Sequence, residues 1–157
     1  MGDHDFKPTP TGKIVVDYLK GALPAFVDTG LNVVDVDDTA EGHLLAADRG
    51  RPGERYILGC ENLTLQQILE RLARISDGKV PRWRIPYAVA YAAGVASTGW
   101  ANLTGREPRA PLDAVKMSKI KMFVSSDKAK RELGFNPGPV DGALKRAVDW
   151  FRANGYV

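Results

Sequence analysis

Catalysis and metal binding draw on a few side-chain types, and this chain holds little of the most versatile kind: two histidines, His4 and His43, and a single cysteine, Cys60. A structural zinc site takes four Cys or His ligands, so this stock does not build one. His43 falls within a helical pattern and reads as a partly buried or exposed side chain, not a ligand. Cys60 follows a strand pattern and reads as a small core residue. Three carboxylates, Asp35, Asp37 and Asp38, stand close enough to bind a hard cation or to split their pKa values. On a strand Asp35 and Asp37 share a face, while Asp38, three residues before Glu41, has the spacing of a helix cap, so the pattern favours a structural role. Ser97 in the run Gly94 to Gly99 misses the spacing of a nucleophile elbow, and no Gly-x-Ser-x-Gly is present. Gly50 and Gly53 precede a strand where a dinucleotide turn needs a helix, and Tyr56 stands in place of the third glycine. No tyrosine meets a lysine four residues later: Tyr18 meets Ala22, Tyr56 meets Cys60, Tyr87 meets Tyr91 and Tyr91 meets Val95.

The elements that would position these residues are legible in outline. Thr9-Pro10-Thr11 opens a helix whose apolar set, Ile14, Val15, Tyr18 and Leu19, recurs at helical spacing until Gly21. Leu31 to Val36 reads as a strand, Asp38 as the cap of a helix closing at Gly50, and Arg55 to Gly59 as a second strand. Strand, helix and strand at this spacing predict one βαβ unit with parallel strands. Thr64 and Gln67 form a capping box, with Leu63 and Ile68 as its staple, before the stripe Leu65, Ile68, Leu69, Leu72 and Ile75 that ends at Gly78. Prolines at first-turn positions predict helices from Pro86 to Asn102 and from Pro111 to Met122. A short strand at Phe123-Val124, a helix capped by Ser126 through Leu133, and a last helix with Val140, Leu144, Ala147, Val148 and Phe151 on one side complete the chain. With so few short strands against so many helices, a doubly wound sheet cannot be completed. The expected class is α/β, mainly helical, with an incomplete parallel sheet.

The composition of the 157 residues, 44% apolar and 26% charged, excludes disorder, collagen and a disulfide scaffold and fits one domain. The net charge of +3 hides an asymmetry: Lys79 to Arg131 carries 11 Lys+Arg against 3 Asp+Glu. Such a patch can attract phosphate or nucleic acid, although solvated helix faces are the plainer reading, and the aromatic interleaving of a single-strand platform is missing. The uncharged run Ile85 to Gly105 is broken by Pro86, Ser97, Thr98, Asn102 and three glycines, so its apolar part resembles a buried core helix more than a membrane span. One cysteine and no apolar signal core place the chain in a reducing cytoplasm.

Taken in order, several stretches carry a resemblance: "KPTPTGKIVVDYLKG", "LNVVDVDDTAEGHLLA", "GERYILGCENLTLQQIL", "SSDKAKRELGFNP" and "ALKRAVDWFRANGY". Together they resemble the C-terminal half of extended short-chain dehydrogenase/reductases, nearest the dihydroflavonol-4-reductase-like proteins and hopanoid-associated sugar epimerases. The resemblance implies that residues 1–157 form one domain equivalent to the substrate-binding half, with Gly2 to Asp5 replacing a loop that follows the catalytic helix. In that family a preceding Rossmann domain holds NAD(P) through a glycine-rich turn and supplies a Tyr-x-x-x-Lys pair. Neither motif lies in this sequence, so the expectation is a fragment or truncated homologue of an NAD(P)-dependent reductase or epimerase, binding no cofactor alone and inactive alone. UDP-sugar epimerases carry a phosphate-binding Arg where Leu31 stands here, and a second where this chain offers Ala114, Lys116 and Lys119. Their loss favours an apolar or hydroxylated small molecule. Phe6, Pro8, Thr9 and Asn32 are the substrate-binding positions that the resemblance implies. The alternative is a small-molecule binding or protein-interaction module that uses an exposed sheet edge, with self-association as the expected pairing.

Overall fold

A computed structural model describes residues 1–105 and 112–157, leaving out the side chains at positions 102, 103 and 114. Helix α1 (Pro10–Leu19) starts as its sequence requires: Pro10 needs no amide partner at the first turn, and the Thr9 hydroxyl accepts from the Gly12 amide at 3.1 Å. Short strands β1 (Ala25–Val27) and β2 (Gly30–Val33) lead into α2 (Val36–Arg49), and β3 (Glu61–Thr64) runs directly into α3 (Leu65–Ser76). The Thr64–Gln67 capping box is fully formed, and Asp77 ends α3 in the left-handed conformation at φ 55°. Strand β4 (Trp83–Ile85) precedes the long α4 (Tyr87–Thr104), followed by α5 (Leu112–Ser118), α6 (Asp127–Leu133) and α7 (Val140–Ala153).

The architecture is mainly helical, with one small parallel sheet in which β1 pairs β4 with Phe26 opposite Arg84. The expected class therefore holds, while the strands that make the sheet differ from those anticipated. The βαβ unit read from Leu31 to Gly59 is not formed as such. β2 ends at Val33, Arg55 to Gly59 joins no strand, and β2 instead pairs antiparallel with β3, Leu31 opposite Leu63. Side chains far apart in sequence hold this pairing: Asn32 and Asn62 face each other across the ladder, the Asn32 Nδ2 donating to Asn62 Oδ1 at 2.8 Å, and Asn32 Oδ1 accepts from the Cys60 amide at 3.0 Å. Gly59 must come close for this, since a Cβ there would overlap the Asn32 amide. The Phe123-Val124 strand reduces to a parallel bridge between Leu31 and Met122.

Three caps and ends are also corrected. Asp35, not Asp38, caps α2, accepting from the Asp37 amide at 3.2 Å, whereas Asp38 receives the Gly138 amide at 2.9 Å. Ser126 occupies the cap position of α6 without a side-chain bond; the neighbouring Ser125 hydroxyl accepts from the Asp127 amide at 3.1 Å. α5 stops at Ser118, short of Met122, and Pro111, its anticipated first residue, lies outside the described residues.

The main core is built where α1, α3 and α7 meet the β2–β3 pair: Val15, Leu63, Ile68, Leu69, Leu72, Leu144, Val148 and Phe151 are all nearly or wholly shielded from water. Every apolar residue assigned to the inner side of α7 from its spacing is buried. A second, smaller core joins Ala129, Leu133 and Phe135 to Val34, Leu45, Tyr56 and Leu58, fastening α6 to α2. Arg71 ties the layers at the edge of the main core, bonding Glu61 at 2.5 and 2.8 Å and Asp141 at 3.1 Å. Helix α4 departs from expectation. It is not a core helix: of its described side chains only Ala90, Gly94 and Ala101 are buried.

Candidate functional site

Residues 1–9 run across the junction of β2 and α2 and onto the starts of α1 and the middle of α7. Backbone bonds anchor them, with the Val36 amide donating to the Met1 carbonyl at 2.8 Å. Asp5 then turns the chain into α1: its carboxylate accepts from the Thr9 amide at 3.0 Å and from the Thr9 hydroxyl at 3.0 Å. Gly12 is what permits this, because a Cβ there would overlap the Asp5 carboxylate and press on the Phe151 ring. The Tyr156 hydroxyl donates to the Phe6 carbonyl at 2.5 Å, so the end of the chain clamps the same segment.

A cleft of about 190 Å³ lies under this segment. Its rim carries Asp3, His4, Asp5, Thr9 and Thr11, and its floor is Gly12, Val36, Ala147 and Phe151. His4 sits in the left-handed region at φ 59°, a conformation histidine adopts more readily than most residues, with Nδ1 3.3 Å from Asp3 Oδ2. Beneath the loop the buried Asp35 carboxylate is paired with Arg146, whose guanidinium also lies 3.5 Å from Asp37; the bond to Asp35 makes Arg146 hold its proton more firmly than usual. Asp35 and Asp37 thus share the single charge of Arg146, and Asp38 accepts from the Gly138 amide. Among the described residues no group of three or more His, Cys, Asp or Glu side chains is placed to hold a metal ion.

Carboxylates, hydroxyls and an imidazole around an apolar floor can orient a neutral molecule that bears hydroxyl groups. A diphosphate at the same rim would face Asp3 and Asp5 with no lysine or arginine among the residues that line it. The described strand-to-helix junctions do not form a dinucleotide cradle either. Asp35 puts a carboxylate at the start of α2, where a pyrophosphate would have to sit, and the Thr64–Gln67 box already fills the start of α3.

Of the positions singled out in the sequence, Thr9 lies on the rim. Phe6 and half-buried Pro8 belong to the same segment, but Phe6 is 69% exposed and stands edge-on to Trp150 at 5.3 Å. Asn32 is not brought to this cleft; both ends of its amide are bonded within the β2–β3 region. The rim residues Asp3, His4, Asp5 and Thr11 were missed. The available signal was the Gly2 to Asp5 loop itself, with Asp5 four residues before a capping threonine. His43 is exposed with Nδ1 2.7 Å from the Thr39 carbonyl, and Cys60 is half-buried, its thiol pushed above the usual range by burial and bonded to the Gly138 carbonyl at 3.2 Å.

No protein-family model matches the chain. A Synechocystis protein with the provisional name dihydroflavonol 4-reductase is 42% identical over 161 residues, a match that takes in 100% of this chain and 47% of that protein. The crystal structure of gox2253 superposes with a TM-score of 0.80 at 45% identity, over 99% of this chain and 47% of the other. That of PA4631 from Pseudomonas aeruginosa, described as a nucleoside-diphosphate-sugar epimerase, gives a TM-score of 0.79 at 32% identity, over 99% and 46%. The chain thus spans about half the length of the relatives it matches. Its motifs, fold and relatives agree, and over its whole length the chain is similar to the C-terminal half of the reductases and epimerases of the extended short-chain dehydrogenase/reductase superfamily.

Proposed function

We infer that the chain provides the substrate side of an NAD(P)-dependent reductase or epimerase of the dihydroflavonol-4-reductase-like kind. The observation that supports this is the whole-length match, at 42% identity, to about half of such a protein. In this reading the segment from Asp3 to Thr11, including Phe6, Pro8 and Thr9, covers a small hydroxylated or apolar molecule, and Asn32 keeps the neighbouring ladder in register. The acidic rim favours a neutral substrate over a nucleoside-diphosphate sugar. At about 190 Å³ the cleft falls below the ~300–1,000 Å³ of ordinary ligand sites, which fits one wall of a site completed by another structural unit.

Hydride transfer needs a bound dinucleotide and a proton donor beside the reacting carbon. These residues offer neither, so the isolated chain is expected to be catalytically silent and to leave NADH and NADPH unbound. Fluorescence titration of the purified chain with each dinucleotide tests this; saturable micromolar binding would overturn it.

A second reading, an interaction module, draws on the sheets themselves. Among the described residues each has only two strands; Met122 bridges one side of β2 but the other strands keep open edges, and Leu44 of α2 and Ile57 stand exposed at 73% and 49%. Concentration-dependent association in sedimentation velocity is the expected outcome, and a clean monomer at high concentration would count against it.

A further inference from the structure

Helix α4 has no charged residue in its 18 positions, yet most of it faces water. Gly94 packs on Val115 and Leu112 of α5, while Val89, Val95 and Trp100 are 58%, 47% and 68% exposed. A helix that is apolar on every side belongs in a core or against lipid. Among the described residues α5 covers only the side that carries Gly94, and the helix is not long and apolar enough to cross a membrane.

The surroundings say what would cover it. Lys79 and Arg82 precede the helix and form no ion pair with any described residue, and Lys119 stands 6.0 Å from the ring centre of Tyr87 at its first turn. Trp83, in β4 four residues ahead of the helix, is 76% exposed and Trp100 near the far end of the helix 68%, the amphipathic side chains that settle at a bilayer's polar boundary. A second copy of the chain would bring a second set of lysines and arginines against the first. An acidic protein would answer the cations but need not accept both tryptophans. An anionic lipid surface does both.

We propose that α4 is a membrane-docking helix lying in the plane of an anionic bilayer surface, with Trp83 ahead of it and Trp100 near its far end both inserted and Lys79, Arg82 and Lys119 on the headgroups. At 1.5 Å per residue its contact line is roughly 27 Å. Such binding scales with apolar area plus charge attraction, so both contributions can be removed separately.

Flotation of the full chain with phosphatidylcholine vesicles, with and without phosphatidylglycerol, tests the assignment. The chain should float with the anionic vesicles at low salt and be released as salt rises. Lys79→Gln combined with Arg82→Gln should weaken partition by roughly tenfold or more. Trp83→Ser combined with Trp100→Ser should abolish most of it, with far-UV circular dichroism unchanged because these positions are exposed. In a Trp83→Phe, Trp100→Phe chain the remaining Trp150 should show no emission shift on adding vesicles, whereas the wild type shifts to the blue. The proposal is overturned by an absence of flotation with anionic vesicles at low salt, by flotation that the tryptophan variants leave intact, or by a solution dimer that Trp100→Ser dissociates.

Discussion

Gly12 occupies the closest point between the leading loop and the helices beneath it, and its missing side chain is what lets the Asp5 carboxylate reach Thr9. Gly12→Ala would force that carboxylate off its amide and crowd Phe151, while the helical backbone itself accepts alanine. The expected cost is about 1–3 kcal/mol, as for overpacking elsewhere, read as a lowered melting temperature. If Asp5→Ala is made first, Gly12→Ala should cost much less, because only the milder contact with Phe151 remains. Thermal melts of the two single variants and the double variant check this coupling; equal losses in both backgrounds would contradict the geometry. The same residue explains why the cleft was hard to foresee. A glycine in a helical pattern advertises nothing about the side chain folded over it, whereas Thr9, as a cap before a first-turn proline, is visible from its neighbours alone.

Elements differ in the same way. α1 and α3 were legible because each carries a capping residue, a stripe at helical spacing and a stopping signal, and α7 because its apolar stripe is long and regular; these coincide with the burial of Ile68, Leu72, Leu144 and Phe151. The strands were not, since their pairing is decided at long range. Nothing near Leu31 announces that its partner is Leu63, or that β1 finds β4 across more than fifty residues of chain. α4 misled for a related reason: an uncharged run reads as core, and whether it is covered depends on what else is present. At the α6 end, Glu132 bonds Arg51 at 2.7 Å and the Tyr56 hydroxyl at 3.2 Å, and the Arg51 bond holds its carboxyl below the ordinary value of 4.5. Glu54, bonded to Lys128 at 2.6 Å, is lowered likewise. A carboxyl whose pKa is lower in the folded state contributes its full stabilisation above the unfolded value, and that contribution disappears as pH falls through the folded one. The attachment of α6 to residues 51–56 should therefore weaken below about pH 4.5. Glu132→Gln should lower the melting temperature above that pH, where the charged pair contributes in full, and so flatten its fall on acidification.

For the molecule as a whole, relatedness to half of a reductase or epimerase concerns the chain's full length and not a single motif, which is why no one residue settles it. The ordered succession of segments carried the resemblance, and the shared fold has the same extent. The two buried clusters have an outcome of their own. The group around Leu133 has no buried member in common with the one around Phe151, so α6 can come away from α2 while the three-helix body stays closed. Amide protons of α6 should accordingly exchange with deuterium ahead of those of α3 and α7, through an opening that costs less than global unfolding. The chain would then pass, on gentle denaturation, through a form that has shed one flank and kept its centre.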